Sequence, residues 1–382
     1  MRYKLKEIFD LQMGKTPSRN NPDYWCTEDN KWISIADLTK AGKYISDTKE
    51  FLSDAAVKES GIKIIPANTV IMSFKLSIGK TAITAEDMYS NEAIMAFHDK
   101  HAVDILPEYI FYLFKYRNWD ESSNKAVMGK TLNKATLSEM EIDVCSIKKQ
   151  REIVAVLDKM MRVLVNREKE LFLLDNLIKA RFVELFVGKK YEIVKAGSII
   201  KEMRNGVSPS TSGGHFEKVL TLSAITQGKF DDKAWKEGFF TDCPSAEKRI
   251  TEDDFYICRG NGNKSLVGMG VYALENRPDL VFPDTVIAAH IDTERMVLPY
   301  LWIMWQQPEV RKQLESGART TNGTYKINQK VISEIKIICP PINEQEVFAD
   351  FVKQANKSKV KVQKALDETQ KLFDSLMQQY FG

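Results

Sequence analysis

Ile327-Asn328-Gln329-Lys330-Val331-Ile332-Ser333-Glu334-Ile335-Lys336-Ile337 leads through Pro340-Pro341 into Ile342-Asn343-Glu344-Gln345. Nearly the same phrase stands 195 residues earlier: Leu132-Asn133, then Leu137-Ser138-Glu139-Met140-Glu141-Ile142, then Ile147 and Gln150. Asn, Ser, Glu, Ile, Ile and Gln recur at one constant offset. A weaker correspondence extends upstream. Gly14-Lys15-Thr16-Pro17-Ser18 answers Gly206-Val207-Ser208-Pro209-Ser210, Trp32 through Thr39 answers Val219 through Thr226, and Leu106-Pro107 answers Leu298-Pro299. Order is kept while the offset drifts, as in duplicated domains with divergent loops. The period is far longer than the roughly 20–50 residues of a stacked-repeat protein.

A long helical segment follows each copy. From Gln150 to about Val187 there is neither Pro nor Gly, and Gly188 supplies a helix stop. Apolar residues alternate at spacings of four and three: Ile153, Leu157, Met160, Leu164, Leu171, Leu174, Ile178 and Leu185, with Arg167 and Arg181 interrupting the seam. Adding the same offset gives Phe348, Val352, Ala355, Lys359, Val362, Leu366, Thr369, Phe373, Leu376 and Tyr380. The heptad phase thus survives the duplication. One such helix cannot bury its stripe alone, so the two are expected to pair. Antiparallel pairing is expected, because the intervening module can return the chain along the first helix. A plain dimerisation coiled coil is the alternative.

Each module reads as mixed α and β. Val70–Ser73 and Phe255–Cys258 are β-prone runs, each followed by a small basic loop: residues 75–80 and residues 259–264. Pro107 and Pro299 mark helix starts. A second pair of polar loops, 129–134 and 319–326, precedes the repeated Ser-Glu blocks. These loops gather Arg, Lys, Asn and Thr, residue types suited to base edges and phosphates, although ordinary solvated loops share that composition.

The chain has 382 residues and is close to neutral, with 55 basic against 52 acidic side chains. A free-standing DNA binder is often more basic, so any basic surface is local or a partner supplies part of the field. Five scattered cysteines and four histidines offer neither a disulfide framework nor a zinc site. No signal peptide opens the chain and no apolar run has membrane-spanning length, which predicts a soluble cytoplasmic protein. Gly-Lys-Thr occurs at 14–16, 79–81 and 129–131. Phe9, Phe74 and Asn124 occupy the positions where a phosphate loop needs its first glycine. Asn21-Pro22-Asp23-Tyr24 lacks the second proline of an adenine-methyltransferase motif. No catalytic constellation is expected, and the sequence reads as a binding protein that borrows its catalysis.

Gly14, Thr16 and Pro17, Trp32 through Leu38, Leu106 through Ile110, and above all Ile337 through Gln345 carry a resemblance to the specificity subunits of type I restriction–modification enzymes. It covers essentially the whole chain. The first copy departs at Cys145 through Gln150, lacking both proline and glutamate, which puts that helix start in doubt. Val207-Ser208 replaces Lys15-Thr16, so contacts there need not be equivalent.

The resemblance implies an α+β protein: two similar mixed α/β target-recognition domains, joined by two long helices paired as an antiparallel coiled coil. The corresponding segments are 1–148, 149–188, 189–341 and 342–382. It implies that each domain reads half of a split asymmetric DNA site while the helices set the gap. Two modification subunits bring S-adenosylmethionine for adenine methylation, and restriction subunits use ATP and Mg. Residue chemistry and loop position nominate Lys75, Lys80, Lys130, Thr131 and Asn133 in the first module for DNA contact. In the second they nominate Arg204, Arg259, Asn261, Asn263, Lys264, Arg319 and Asn322. The exposed faces of the helices are expected to receive the modification subunits. Alternatives are the specificity subunit of a system whose partner fuses methyltransferase and nuclease, a coiled-coil adaptor for proteins, and a self-contained nuclease or methyltransferase.

Overall fold

The computed structural model of the chain describes residues 1–75, 77–119, 132–210, 213–321 and 323–382. It divides into two compact units. One comprises Met1–Glu168 with Lys364–Gly382, and the other Lys169–Gln363. Two helices of 40 residues each, Ile147–Phe186 and Ile342–Phe381, contribute to both.

The two modules share one strand plan. In the first, Phe9–Met13, Ile94–Asp99, Val70–Ser73 and Thr81–Thr84 lie side by side as antiparallel neighbours, and Tyr44–Ile45 adds an edge strand. In the second, Ile200–Asn205, Val286–Ile291, Asp254–Cys258 and Gly270–Tyr272 follow the same order. A smaller sheet repeats as well. Asn30–Ile33 runs antiparallel to Glu50–Leu52 and parallel to Tyr89–Ser90; His215–Leu220 runs antiparallel to Trp235–Phe240 and parallel to Arg277–Val281. The Pro107–Tyr116 and Leu298–Trp305 helices bury their aromatic faces in the respective cores.

Three of the six identities in the repeated phrase, the Asn, the Glu and the Gln, have a plain structural reason. Asn133 and Asn328 are N-caps: their side-chain oxygens accept from the backbone N–H of Thr136 at 2.8 Å and of Val331 at 2.9 Å. Glu139 is ion-paired with Lys4 at 2.8 Å and with Lys6, while Glu334 pairs with Lys195 at 2.6 Å. Lys4 and Lys195 end strands, Arg2–Lys4 and Glu192–Lys195, that pair antiparallel with Glu141–Asp143 and Lys336–Cys339, and Lys6 lies in the short helix Leu5–Ile8 that follows the first. Each module is thereby closed back on its own beginning. Gln150 and Gln345 are fully buried. Gln150 accepts from Leu106 N–H at 2.9 Å and donates to the carbonyls of Asp104 and Cys145, both at 2.9 Å. Gln345 accepts from Val297 N–H at 3.1 Å and donates to the carbonyls of Arg295 and Pro340, at 3.1 and 2.8 Å. One amide thus locks each long helix to the loop that precedes the aromatic helix. Gly14 and Gly206 share a steric reason, since a Cβ there would lie 2.2 Å from Ser90 O and 2.1 Å from Pro283 O.

Lys4 and Lys6 hold the Glu139 carboxyl well below its ordinary 4.5, at about 2. A carboxylate depressed by folding contributes stability above its unfolded pKa and loses it as pH falls through the folded one. Glu139→Gln should therefore remove an acid-sensitive component of first-unit stability between about pH 4.5 and 2. Urea midpoints followed across that range will check it, and parallel pH profiles for parent and variant would reject it.

The long helices pair as an antiparallel coiled coil. In the first unit, Ile153, Leu157 and Leu164 share a core with Phe373 and Met377. In the second, Ile178 and Phe182 share one with Phe348, Val352 and Ala355, and Lys359 reaches Asp175 at 2.5 Å. The first helix starts without proline because Ser146 substitutes as its cap, with Oγ accepting from Lys149 N–H at 3.4 Å. One detail departs from the sequence seam: Phe182 and Phe186 are buried, while Leu185 is only partly so. Near its end the helix faces its module's aromatic core as well as its partner helix, which turns the buried stripe by one residue.

Candidate nucleic-acid interface

The two polar loops of the second module meet in one small sheet. Arg259 follows the Asp254–Cys258 strand and is fixed on both sides. Its N–H donates to Thr285 O and its carbonyl accepts from Ile327 N–H, both at 2.8 Å. Gly260–Asn261 then pairs antiparallel with Thr324–Lys326, which pairs in turn with Arg319–Thr321. The register sets Lys326 opposite both Gly260 and Arg319, and Tyr325 opposite both Asn261 and Thr320. Gly323, with φ of 74°, serves the tight hairpin.

Around this sheet the nominated side chains hold different stations. Arg259 is half-buried, with Nη1 donating to Asp284 O at 3.1 Å. Asn261 accepts from Asn263 N–H at 2.9 Å. Asn263 accepts from Ser265 N–H at 3.0 Å and so caps the short turn Lys264–Leu266. Side chains preset by such turns present their remaining amide hydrogens with little entropy left to lose. Lys264 and Arg319 are exposed. Arg204 is placed elsewhere: it is ion-paired to the fully buried carboxylate of Asp254 and donates to Glu247 O at 3.2 Å. A guanidinium so held supports the central sheet and is not free to reach a base. Asn322 lies outside the described residues.

The first module repeats the joint. Leu132 N–H donates to Phe74 O at 3.1 Å, matching the Ile327–Arg259 bond. The loop carrying Lys75 and Lys80 is folded tightly on Ser73, whose Oγ accepts from Lys80 N–H at 3.0 Å. Gly79 has φ of 88°, and a Cβ there would sit 2.8 Å from Trp119. Lys75 Nζ lies 5.3 Å from the Phe74 ring centroid. Asn133 is exposed, but its oxygen is committed to the helix cap. Lys130 and Thr131 lie outside the described residues.

Sequence reasoning missed two cations. Lys115 ends the Pro107–Tyr116 helix over Phe111, where burial lowers its pKa and the charge of Lys80 lowers it further. Its helical spacing carried no signal for a basic cluster, since a lysine in a last turn is ordinary. Lys326 was visible as part of a basic loop, but its pairing with Arg319 depends on hairpin register. As expected from the Val207-Ser208 replacement, Lys15-Thr16 and Val207 differ in environment: Thr16 bonds Glu92 and Asn91, whereas Val207 packs on a small apolar cluster. Among the described residues no His, Cys, Asp or Glu cluster could hold a metal, and no helix is long and apolar enough to cross a membrane.

With this geometry in hand, the relatives are informative. Residues 1–171 match the family model of the type I restriction modification DNA specificity domain. The MjaIX specificity subunit of Methanocaldococcus jannaschii is 30% identical over 211 residues, 53% of this chain and 48% of its own length. The chain thus spans about half of that relative. The StySPI specificity subunit of Salmonella potsdam is 22% identical over 99% of this chain and 87% of its own. Two solved structures share the fold. The type I restriction–modification S subunit of M. genitalium aligns with a TM-score of 0.57 at 13% identity, over 100% of this chain and 96% of its own. A chain from a structure of type I R-M complex assembly aligns at 0.60 and 16%, over 100% and 97%. The duplicated modules and antiparallel helices thus go with a likeness to type I specificity subunits, in sequence over residues 1–171 and in fold across the whole chain.

Proposed function

We propose that each module reads one half of a split, asymmetric DNA sequence. On this reading the long helices fix the unread gap, and two modification subunits methylate one adenine in each half. The observation that carries the reading is the duplicated joint between the two polar loops, Phe74 with Leu132 and Arg259 with Ile327. Two separately encoded loops are brought to one place in each module, which is what a composite base-reading surface requires. The chain itself is non-catalytic and works in the cytoplasm on chromosomal and incoming DNA. S-adenosylmethionine is held by the modification subunits, and ATP and Mg by restriction subunits that cut unmethylated sites. The near-neutral charge fits a complex in which the modification subunits supply part of the phosphate contact.

The reading set is narrower than sequence alone suggested. Arg259, Asn261, Asn263 and Lys264 form its second-module part, and Lys75, Lys80 and Lys115 its first-module cations; Arg204 is left out as a scaffold residue. A bidentate Arg–guanine pair contributes about 1–3 kcal/mol of discrimination. Arg259→Ala should accordingly relax one position of the second half-site and leave the first half intact.

The test is a methylome. The chain is co-expressed with its neighbouring modification subunit in a host lacking DNA methylation, and N6-methyladenine is mapped by single-molecule sequencing. A split motif is expected, one half of which changes when residues 1–148 are exchanged for a homologous module. A soluble assembled complex that neither methylates nor binds DNA would sink the proposal and favour the protein adaptor.

A further inference from the structure

The hairpin Arg319–Thr321/Thr324–Lys326 holds two cations in an arrangement that costs the free protein energy. Arg319 and Lys326 are directly opposed across the antiparallel pair, so both side chains leave the same face of the sheet. Like charges in that position repel. Both residues are exposed, and neither has an acidic partner among the described residues. The third strand of the row contributes Gly260. A Cβ built there would meet Lys326 Cγ at 3.4 Å and Cε at 3.9 Å, so the lysine stem lies across the glycine. The opposite face is anchored, because Tyr325 packs against the module core. The sheet therefore has an inner aromatic side and an outer side bearing two unneutralised cations on paired strands.

We propose that Arg319 and Lys326 form a phosphate clamp: together they grip the DNA backbone and set the register of the second module without reading bases. This rests on the DNA-reading function above and divides its labour. Base discrimination falls to the loop Arg259–Lys264, one strand away, and backbone position to the cation pair. The chemistry fits a phosphodiester better than a base edge. Two opposed cations only one cross-strand distance apart match the spread negative charge of phosphate oxygens. A base edge instead calls for one planar donor set. Charge repulsion in the free hairpin is relieved when the polyanion binds, so the pair favours the bound state twice over.

The clamp has a distinctive salt signature. Each phosphate neutralised contributes about 0.9 to the slope of log K against log salt. The assembled complex with modification subunits is titrated with a labelled duplex carrying the methylated sequence, and with a scrambled duplex. For Arg319→Gln/Lys326→Gln the expected result is a slope lower by about 0.9 for each phosphate lost, on both duplexes. The methylome motif should stay unchanged. Lys326→Arg should keep the parental slope. An unchanged slope in the double variant would overturn the clamp, as would a methylated motif altered within the second half-site. If the parental complex itself fails to bind either duplex, the DNA-reading function falls first and the clamp with it.

Discussion

Phe348→Ala will destabilise the second unit by about 3–5 kcal/mol, the usual consequence of emptying a fully buried aromatic site. Phe348 is 0% exposed, with its ring centroid 5.7 Å from those of both Phe182 and Phe186. Phe186 in turn lies 4.8 Å from Tyr300. Four rings thus join the end of one long helix, the start of the other and the aromatic helix of the module. Their edge-to-face geometries add about 0.5–1.5 kcal/mol per pair beyond the area buried, and no backbone movement can refill such a site without disturbing all three elements. Against a total stability of about 5–15 kcal/mol the loss is severe. In a unit of this size it corresponds to a melting shift of roughly 6–20 °C. Differential scanning calorimetry reads it directly, and a shift within a degree or two would mean that the cluster collapses to fill the space. Phe348→Leu should recover a good part of the loss.

Asp254→Ala should cost about 3–5 kcal/mol for a different reason: it strands a charge. The Asp254 carboxylate is completely buried. It accepts from Thr251 Oγ1 at 2.8 Å, from Tyr256 at 3.4 Å and from Arg204, and lies 3.3 Å from His290 Nδ1. Removing it leaves the Arg204 guanidinium, whose side chain is only 13% exposed, without its anion. The cost is chiefly that of the partner left behind, so removing both charges should be milder than removing one. Arg204→Met/Asp254→Leu is therefore expected to be markedly more stable than Asp254→Ala in urea unfolding. Equal losses in the two variants would show that the network matters for its hydrogen bonds and not for its charge. Any DNA-binding defect of Arg204→Ala should then track its stability and not the methylated sequence.

The duplication was legible because its identities are structural. Gln150 and Gln345 recur since each buried side chain makes three hydrogen bonds, accepting one and donating two. Asn133 and Asn328 recur as caps, so the side-chain oxygen of Asn133 is already engaged. The heptad phase was legible too, but the burial of Phe182 and Phe186 was not. That burial depends on the module core beyond the helix pair, and periodicity within one helix carries no record of it. The same limit governs the interface. Residue types singled out loops that the fold brings together, whereas partners in space distinguish their side chains. Arg204 and Arg259 look alike in sequence, yet only Arg204 has a buried carboxylate opposite it. Lys326 gained significance only once hairpin register set it against Arg319.

The division of the chain also constrains how it is made. The second unit is one uninterrupted stretch, Lys169–Gln363, whereas the first needs Met1–Glu168 together with Lys364–Gly382. On a translating ribosome the first module waits for the segment that brings Phe373 and Met377 to cover Ile153, Leu157 and Leu164. At about 5–20 residues per second that wait lasts roughly 10–40 s. The domain synthesised first is therefore completed last, and nascent chains with an open apolar seam are the stage at which chaperones have something to hold.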